Sequence, residues 1–163
     1  MSYSLAIHGG AGTILPDLMT PEKEAAYHAG LVRALEAGRS ILSAGGAALD
    51  AVTAAVMALE DEPLFNAGRG AVYNAAGVQE MDACIMDGRD RRTGAVAGIF
   101  GPRNPILAAR AVMERTAHVL MIGEGALAIA REAGLAFADR DYFFTESRWQ
   151  ALQDTLAQRA AGA

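Results

Sequence analysis

The sequence predicts a mixed α/β (α+β) fold in which amphipathic helices enclose a small sheet. Helical segments with clear end signals alternate along the chain with short apolar segments of strand length. One of these segments, residues 95–100, carries apolar side chains on both faces, which is typical of a strand in a central sheet layer. The chain has 163 residues, the size of one domain or of a large part of one.

Two long helices are predicted in the first part of the chain. Thr20 and Pro21 form an N-cap and first-turn pair for a helix that the Gly-Gly pair at 45–46 ends. The second helix covers about residues 47–60 and stops before Pro63. Its predicted buried side chains recur at i, i+3, i+7 and i+10. They are Leu49, Val52, Val56 and Leu59.

The remaining elements are shorter. Strands are predicted at residues 3–7, 78–87, 93–101 and 118–122. Helices are predicted at residues 105–115, 123–134 and 145–159, with Asn104 as the N-cap of the first. The last helix runs into a tail of small residues, a composition that is typical of a linker.

Charge and cysteine usage exclude several classes of function. The net charge of −5 argues against a nucleic-acid partner, since such proteins usually present a basic face. No apolar stretch reaches the ~18 residues of a membrane span, and the N-terminus lacks the basic region of a signal peptide, so a cytoplasmic protein is expected. The single cysteine, Cys84, excludes an internal disulfide, and its apolar surroundings predict a buried thiol.

A glycine-rich turn at residues 8–12 (HGGAG) follows the first predicted strand. It could form an oxyanion-hole turn of the esterase type, or a phosphate loop. Both readings are weak, because the chain has no Gly-x-Ser-x-Gly elbow and no Gly-Lys-Ser/Thr. A non-enzymatic small-molecule-binding domain that uses this turn remains an alternative.

The segment at residues 59–70 is more informative. Asn66 lies between Phe65 and Ala67, and an amide there is costly to bury unless it is hydrogen-bonded. Such an Asn organises a loop, or holds a catalytic group through its side chain. The helix end before it offers free main-chain carbonyls beside acidic residues, which suits a hard cation. The spacing by itself favours an ordinary packed loop.

Six ordered segments together resemble the plant-type L-asparaginase/isoaspartyl aminopeptidase family of N-terminal-nucleophile hydrolases. The resemblance covers about residues 5–125. The segments are 8–12 (HGGAG), 63–72 (PLFNAGRGAV), 81–88 (MDACIMDG), 94–98 (GAVAG), 104–110 (NPILAAR) and 118–125 (HVLMIGEG).

The resemblance implies a four-layer αββα sandwich that is completed by a separate β subunit. In this family a precursor cleaves itself, and the new N-terminal Thr of the β subunit is the nucleophile. The chain would then be the α subunit, with residues 1–135 in the sandwich and residues 136–163 as a C-terminal helix and flexible linker that ends at the autocleavage region. An (αβ)₂ assembly acting on L-asparagine and β-aspartyl (isoaspartyl) dipeptides is expected.

The resemblance also implies roles for particular residues. Asn66 would orient groups beside the nucleophile, and the backbone of His8, Gly9 and Gly10 would support the site. No organic cofactor is expected. A structural monovalent cation, expected to be Na⁺, would be held by main-chain carbonyls. These carbonyls belong to Leu59, Glu60, Glu62, Phe65, Ala67 and Arg69.

Two further readings stay open beside this one. A glycosylasparaginase-like or threonine-endopeptidase member of the same superfamily would share the fold, because the pocket residues that separate these enzymes lie in the β subunit. A degenerate regulatory subunit would share the fold and have no activity.

Overall fold

The computed structural model of the chain describes residues 2–10 and 19–162. Within them, six α-helices and a three-stranded sheet are present, which confirms the mixed α/β class. No helix of this described part is long and apolar enough to cross a membrane. The helices are α1 (Pro21–Ser43), α2 (Ala48–Glu60), α3 (Pro105–Arg115), α4 (Gly123–Glu132), α5 (Arg140–Phe143) and α6 (Glu146–Ala160). The strands are β1 (Met81–Met86), β2 (Thr93–Ile99) and β3 (Leu120–Ile122).

Local capping chemistry defines the helix starts. The Thr20 hydroxyl accepts a hydrogen bond from the Lys23 amide at 3.2 Å, as the sequence predicts. Helix α3 begins at the predicted residue, but the side chain of Asn104 does not cap it. The Ile106 amide donates instead to Oε1 of Glu60, at the end of α2, over 2.9 Å. A side-chain oxygen from another helix suits this position because the first-turn amides of a helix have no acceptor within the helix itself.

Strand β2 lies at the centre of the sheet. It pairs antiparallel with β1 and parallel with β3. One face of the sheet packs against α3, where Gly94 is required because a Cβ there would collide with the carbonyl oxygen of Ala109. Val96, Ile99 and Val112 are almost fully buried at this contact and form the centre of the main hydrophobic core.

The opposite face of the sheet is exposed in the described part of the chain. Side chains of Met86, Leu120 and Ile122 on this open sheet face are 58%, 54% and 66% exposed. Cys84 pairs in register with Ala95 on the same face and is exposed, so the prediction of a buried thiol is wrong for this chain by itself. The prediction that β2 is covered on both faces holds for one face of this chain. The sequence pattern correctly predicts that both faces of β2 are apolar, but it does not indicate what covers each face.

Helices α1 and α2 pack through small residues. A Cβ at Gly38 of α1 would lie 3.0 Å from the Ala51 carbonyl oxygen, so the two backbones approach closely. The predicted stripe on α2 is right at Leu59, which is buried, and wrong at Val52, which is 38% exposed. Ala51 and Ala55 take the central buried positions because the contact leaves no room for larger side chains.

The predicted strand at residues 3–7 is wrong. These residues are not hydrogen-bonded as a strand, and they lie along α1. The Tyr3 hydroxyl bonds to the Ser43 hydroxyl at 2.7 Å, and Leu5 packs at Gly38. Their alternating apolar side chains therefore fill a helix surface instead of a sheet position.

Helix α5 and a 3-10 turn at Gly68–Gly70 are additional to the predicted elements. Phe143 of α5 is fully buried against Phe100, Ala71 and Met81. The amide of the buried Gln79 ties this region together, because it donates to the carbonyls of Ala71 and Phe143 at 2.8 and 3.2 Å. Helix α5 thereby positions α6 beside the loop that follows α2.

Candidate active site

The loop after α2 is anchored by the ring of Phe65. This ring is buried between Gly9 and Gly30 of α1. A Cβ added at Gly9 or Gly30 would lie only 2.9 Å or 3.0 Å from a ring atom, so neither position has room for a side chain. Tyr27 meets the same ring edge-on, with centroids 5.9 Å apart. The glycine-rich turn and the Asn66 loop are therefore neighbours, joined through one aromatic side chain.

Asn66 presents its side chain at the surface of this loop. Its Oδ1 accepts a hydrogen bond from the Val72 amide at 3.0 Å. A backbone amide can only donate, so the oxygen is assigned by its partner and the amide nitrogen points the other way. That nitrogen makes no hydrogen bond to the described residues, and it remains available as a donor. This arrangement fits the predicted orienting role of Asn66.

The N-terminal turn is held by its own histidine. Nδ1 of His8 accepts from the Gly10 amide at 3.3 Å. Gly10 has φ of 129°, a conformation that favours glycine, whereas Gly9 is needed for the close approach of Phe65. Ala11 and Gly12, which complete the HGGAG turn, lie outside the described residues.

These elements line one open cavity of about 790 Å³. Its walls come from the N-terminal turn, α1, the Asn66 loop and α6. Cavities of a few hundred Å³ hold small-molecule substrates. The structure thus brings together the residues predicted to form the site, namely His8, Gly9, Gly10 and Asn66, in one cavity.

Several main-chain carbonyl oxygens lie close to the glycines of the Asn66 loop. A Cβ at Gly68 would collide with the Glu60 carbonyl oxygen, and one at Gly70 would collide with that of Phe65 and lie 2.6 Å from that of Pro63. Further carbonyls of the predicted set, at Leu59, Glu62 and Ala67, each accept one local hydrogen bond, from the amides of Glu62, Phe65 and Gly70. A carbonyl oxygen has two lone pairs, so these groups retain capacity for a cation.

Carbonyl oxygens are donors of the kind that hard cations prefer. In the described part of the chain no group of three or more His, Cys, Asp or Glu side chains could hold a metal ion. The guanidinium of Arg69 stacks over the Tyr142 ring, 5.6 Å from the centroid.

Asp61 braces the end of α2. Its Oδ1 accepts from Tyr142 Oη at 2.8 Å, Arg103 Nε at 3.1 Å and Asn104 Nδ2 at 3.3 Å. Burial and the Asp61 hydrogen bond raise the pKa of Tyr142, which stays a neutral donor. Glu62 forms an ion pair with Arg33 of α1 on the other side. The loop is thus fixed to α1, α3 and α5.

Glu60 is a buried carboxyl, 3% exposed. Burial raises its pKa to about 8, against the opposing effect of the hydrogen bond from the Ile106 amide. Its Oε2 has no hydrogen-bond partner among the described residues. The neutral form is therefore favoured at neutral pH.

Glu60→Gln in the full-length protein is expected to flatten the pH dependence of stability. Because the folded-state pKa of about 8 lies above the ordinary 4.5, the folded chain binds the extra proton in this window. Its stability therefore falls as pH rises, by up to about 1.4 kcal/mol per pH unit. Urea unfolding between pH 5 and 8, in buffers free of alkali cations, measures the slope. The exposed Glu132→Gln is the control, and an unchanged slope in Glu60→Gln would contradict the assignment.

Arg148 of α6 reaches across to the same loop. Its Nε donates to the Gly70 carbonyl at 2.8 Å and its Nη2 to the Leu64 carbonyl at 3.2 Å. Local sequence patterns could not indicate these contacts of Arg148 and Asp61, because the hydrogen-bond partners lie tens of residues away along the chain.

Comparison with known proteins defines the class to which this fold and cavity belong. A family model described as asparaginase matches residues 1–162. The chain therefore belongs to the asparaginase family, which confirms the resemblance of the six ordered segments.

Individual relatives are similar over nearly the whole chain. It is 52% identical to an isoaspartyl peptidase of Salmonella typhimurium over 97% of this chain and 50% of that protein. It is 48% identical to an isoaspartyl peptidase of Escherichia coli, over 98% and 49% of the two chains. A plant-type L-asparaginase of Pyrococcus abyssi is 45% identical, over 94% and 48%. The chain spans about half the length of these relatives.

Proposed function

We propose that this chain is the α subunit of an autoprocessed hydrolase that cleaves the side-chain amide of L-asparagine and β-aspartyl dipeptides. The observation that carries the proposal is the amide nitrogen of Asn66, which is free among the described residues at a cavity shared with the His8–Gly10 turn. The names of the relatives, isoaspartyl peptidase and plant-type L-asparaginase, support this substrate class.

The proposed nucleophile is the N-terminal Thr of a β subunit cut from the same precursor. Its hydroxyl oxygen attacks the amide carbon, and the free α-amine of the same Thr accepts the hydroxyl proton. Ammonia or the leaving amino acid departs with a proton, and water then hydrolyses the acyl ester. Asn66 would donate a hydrogen bond that orients the reacting groups, while Phe65 and Gly9 keep its loop in place.

A monovalent cation, proposed to be Na⁺, would be held by main-chain carbonyls of residues 59–69. When bound, it would stiffen the loop that carries Asn66. The carbonyl oxygens of Glu60 and Phe65, which lie close against Gly68 and Gly70, support this assignment. Those of Leu59, Glu62, Ala67 and Arg69 complete the proposed set.

The proposed β subunit would cover the open sheet face and complete the four-layer αββα sandwich within an (αβ)₂ assembly. Apolar side chains at Met86, Leu120 and Ile122 support a dry contact there. Residues 1–135 would belong to the sandwich, and residues 136–163 would form the C-terminal helix and linker; this division and the cytoplasmic location remain predictions.

Labelling of Cys84 tests the proposed contact. The thiol is exposed in this chain, so coverage by a second layer should protect it. In the native full-length protein, alkylation of the Cys84 peptide is expected to be at least about 100-fold slower than in urea, because buried thiols react only after local opening. Mass spectrometry of the labelled peptide gives both rates. Equal rates would show that the open sheet face stays uncovered.

Substrate assays of the full-length protein test the function. We expect ammonia release from L-asparagine and leucine release from β-aspartyl-leucine, with α-aspartyl-leucine as the matched control. Hydrolysis of glycosylasparagine alone would favour the glycosylasparaginase-like alternative. Ligand binding without turnover would favour the small-molecule-binding domain, and a folded protein inactive on every substrate would favour the regulatory subunit.

A further inference from the structure

Arg148 joins α6 to the loop that carries Asn66. Both hydrogen bonds that its side chain makes to described residues go to main-chain carbonyls, those of Gly70 and Leu64. These two carbonyls lie on either side of Asn66 in the chain. One rigid guanidinium therefore spans the base of the loop.

Arg148 also lies at the candidate cavity. Arg148 lines the same cavity as Asn66 and the His8–Gly10 turn, and its side chain is only half-buried. Its own backbone is fixed, because the Arg148 amide donates to the carbonyl oxygen and, at 3.4 Å, to the hydroxyl of the N-cap Thr145. The start of α6 thus presents the guanidinium from a defined point.

We propose that Arg148 is a positioning residue for catalysis, which holds the Asn66 loop in its working shape through the Leu64 and Gly70 carbonyls. The inference rests on the proposed function of the cavity. Arg148 lies outside the six segments that carry the family resemblance, since these end at residue 125. The inference also assigns a task in the site to α6, which the sequence indicated only as a C-terminal helix before a linker.

Arginine suits this task better than lysine. Its planar fork offers Nε and Nη donors in fixed relative positions, which can satisfy two carbonyls at once. A lysine offers a point charge on a flexible stem and can hold only one of them well. Loss of either bond frees one flank of Asn66, whose Oδ1 is held by the Val72 amide at 3.0 Å. The Val72 amide therefore reports directly on the orientation of Asn66.

The test compares Arg148→Met, Arg148→Lys and the control Arg159→Met in the full-length protein. Arg159 is exposed near the end of the same helix and makes no side-chain hydrogen bond to the described residues. Arg148→Met is expected to lower kcat roughly 10- to 100-fold with KM changed less than about threefold, because misplacement of a catalytic group affects turnover most. Arg148→Lys should recover part of the loss, and Arg159→Met should behave as the wild type.

Hydrogen exchange of the Val72 amide, resolved by fragmentation mass spectrometry, is the second readout. It should be at least about 10-fold faster in Arg148→Met, since the opened loop no longer protects it. Normal kcat or normal Val72 exchange in Arg148→Met would overturn the inference. If Arg148→Met does not fold, kcat and Val72 exchange are measured in Arg148→Lys, and a normal value of either would overturn the inference. If the wild type hydrolyses neither substrate class, the proposed function fails, and Val72 exchange alone decides whether Arg148 holds the loop.

Discussion

Asn66→Ala in the full-length protein is expected to lower turnover of L-asparagine and β-aspartyl dipeptides by roughly 100- to 1,000-fold, the usual cost of losing a hydrogen-bond donor at a reacting centre. The side chain is exposed and touches the fold mainly through the bond from the Val72 amide, so the protein should remain folded. Steady-state kinetics and thermal unfolding of the same preparation measure both effects.

Two further variants separate the functions of the Asn66 amide. Asn66→Asp keeps the oxygen that accepts from Val72 but has no amide nitrogen, so it should preserve the loop and still lose turnover. Asn74→Ala is the matched control, because Asn74 also organises a turn by accepting from two backbone amides, those of Ala76 and Val78. It lies outside the residues that line the cavity. Full turnover in Asn66→Ala, or an equal loss in Asn74→Ala, would remove Asn66 from the proposed mechanism.

Gly70→Ala is expected to destabilise the full-length protein by at least about 3 kcal/mol, since overpacking against rigid backbone has no flexible side chain to relax it. The added Cβ would collide with the Phe65 carbonyl oxygen and lie 2.6 Å from that of Pro63. Relief requires the loop to open, which would also displace Asn66 and the carbonyls proposed to bind the cation. The free energy of unfolding, measured in urea, and the turnover rate should therefore both fall.

The control for this variant is Gly88→Ala in the β1–β2 turn. Nothing lies within 4 Å of a Cβ there, so its stability should change by less than about 0.5 kcal/mol. A Gly70→Ala protein as stable as Gly88→Ala would show that the loop tolerates a wider shape than the one described, and that its carbonyls are not held inward by close packing.

Local signals allowed much of the fold to be predicted. Thr20 and Thr145 accept hydrogen bonds from amides three residues on, and Pro21 presets the φ of the first helical residue, so sequence neighbours suffice to define these helix starts. Cys84 shows the limit of such reasoning. Its exposure depends on register with Ala95 and on what covers that face, and neither is written in the local pattern. The incorrect strand at residues 3–7 has the same origin, because an alternating segment can pack on a helix as well as in a sheet.

The candidate site divides in the same way. The six ordered segments indicated Asn66 and the His8–Gly10 turn, and the structure brings them together through the ring of Phe65. Asp61 and Arg148 could not be indicated, because each bonds to partners 42 to 84 residues away and neither forms part of a local motif. The Glu60 cap on α3 is similar, since Asn104 offered the more obvious local candidate.

Mass spectrometry of the full-length protein tests the central claim most directly. The account predicts two co-purifying chains, of which the second begins with Thr, and a single uncleaved and inactive chain when that Thr is replaced by Ala. An intact wild-type chain that hydrolyses L-asparagine or β-aspartyl dipeptides without cleavage would contradict it, as would cleavage that leaves a residue other than Thr at the new N-terminus.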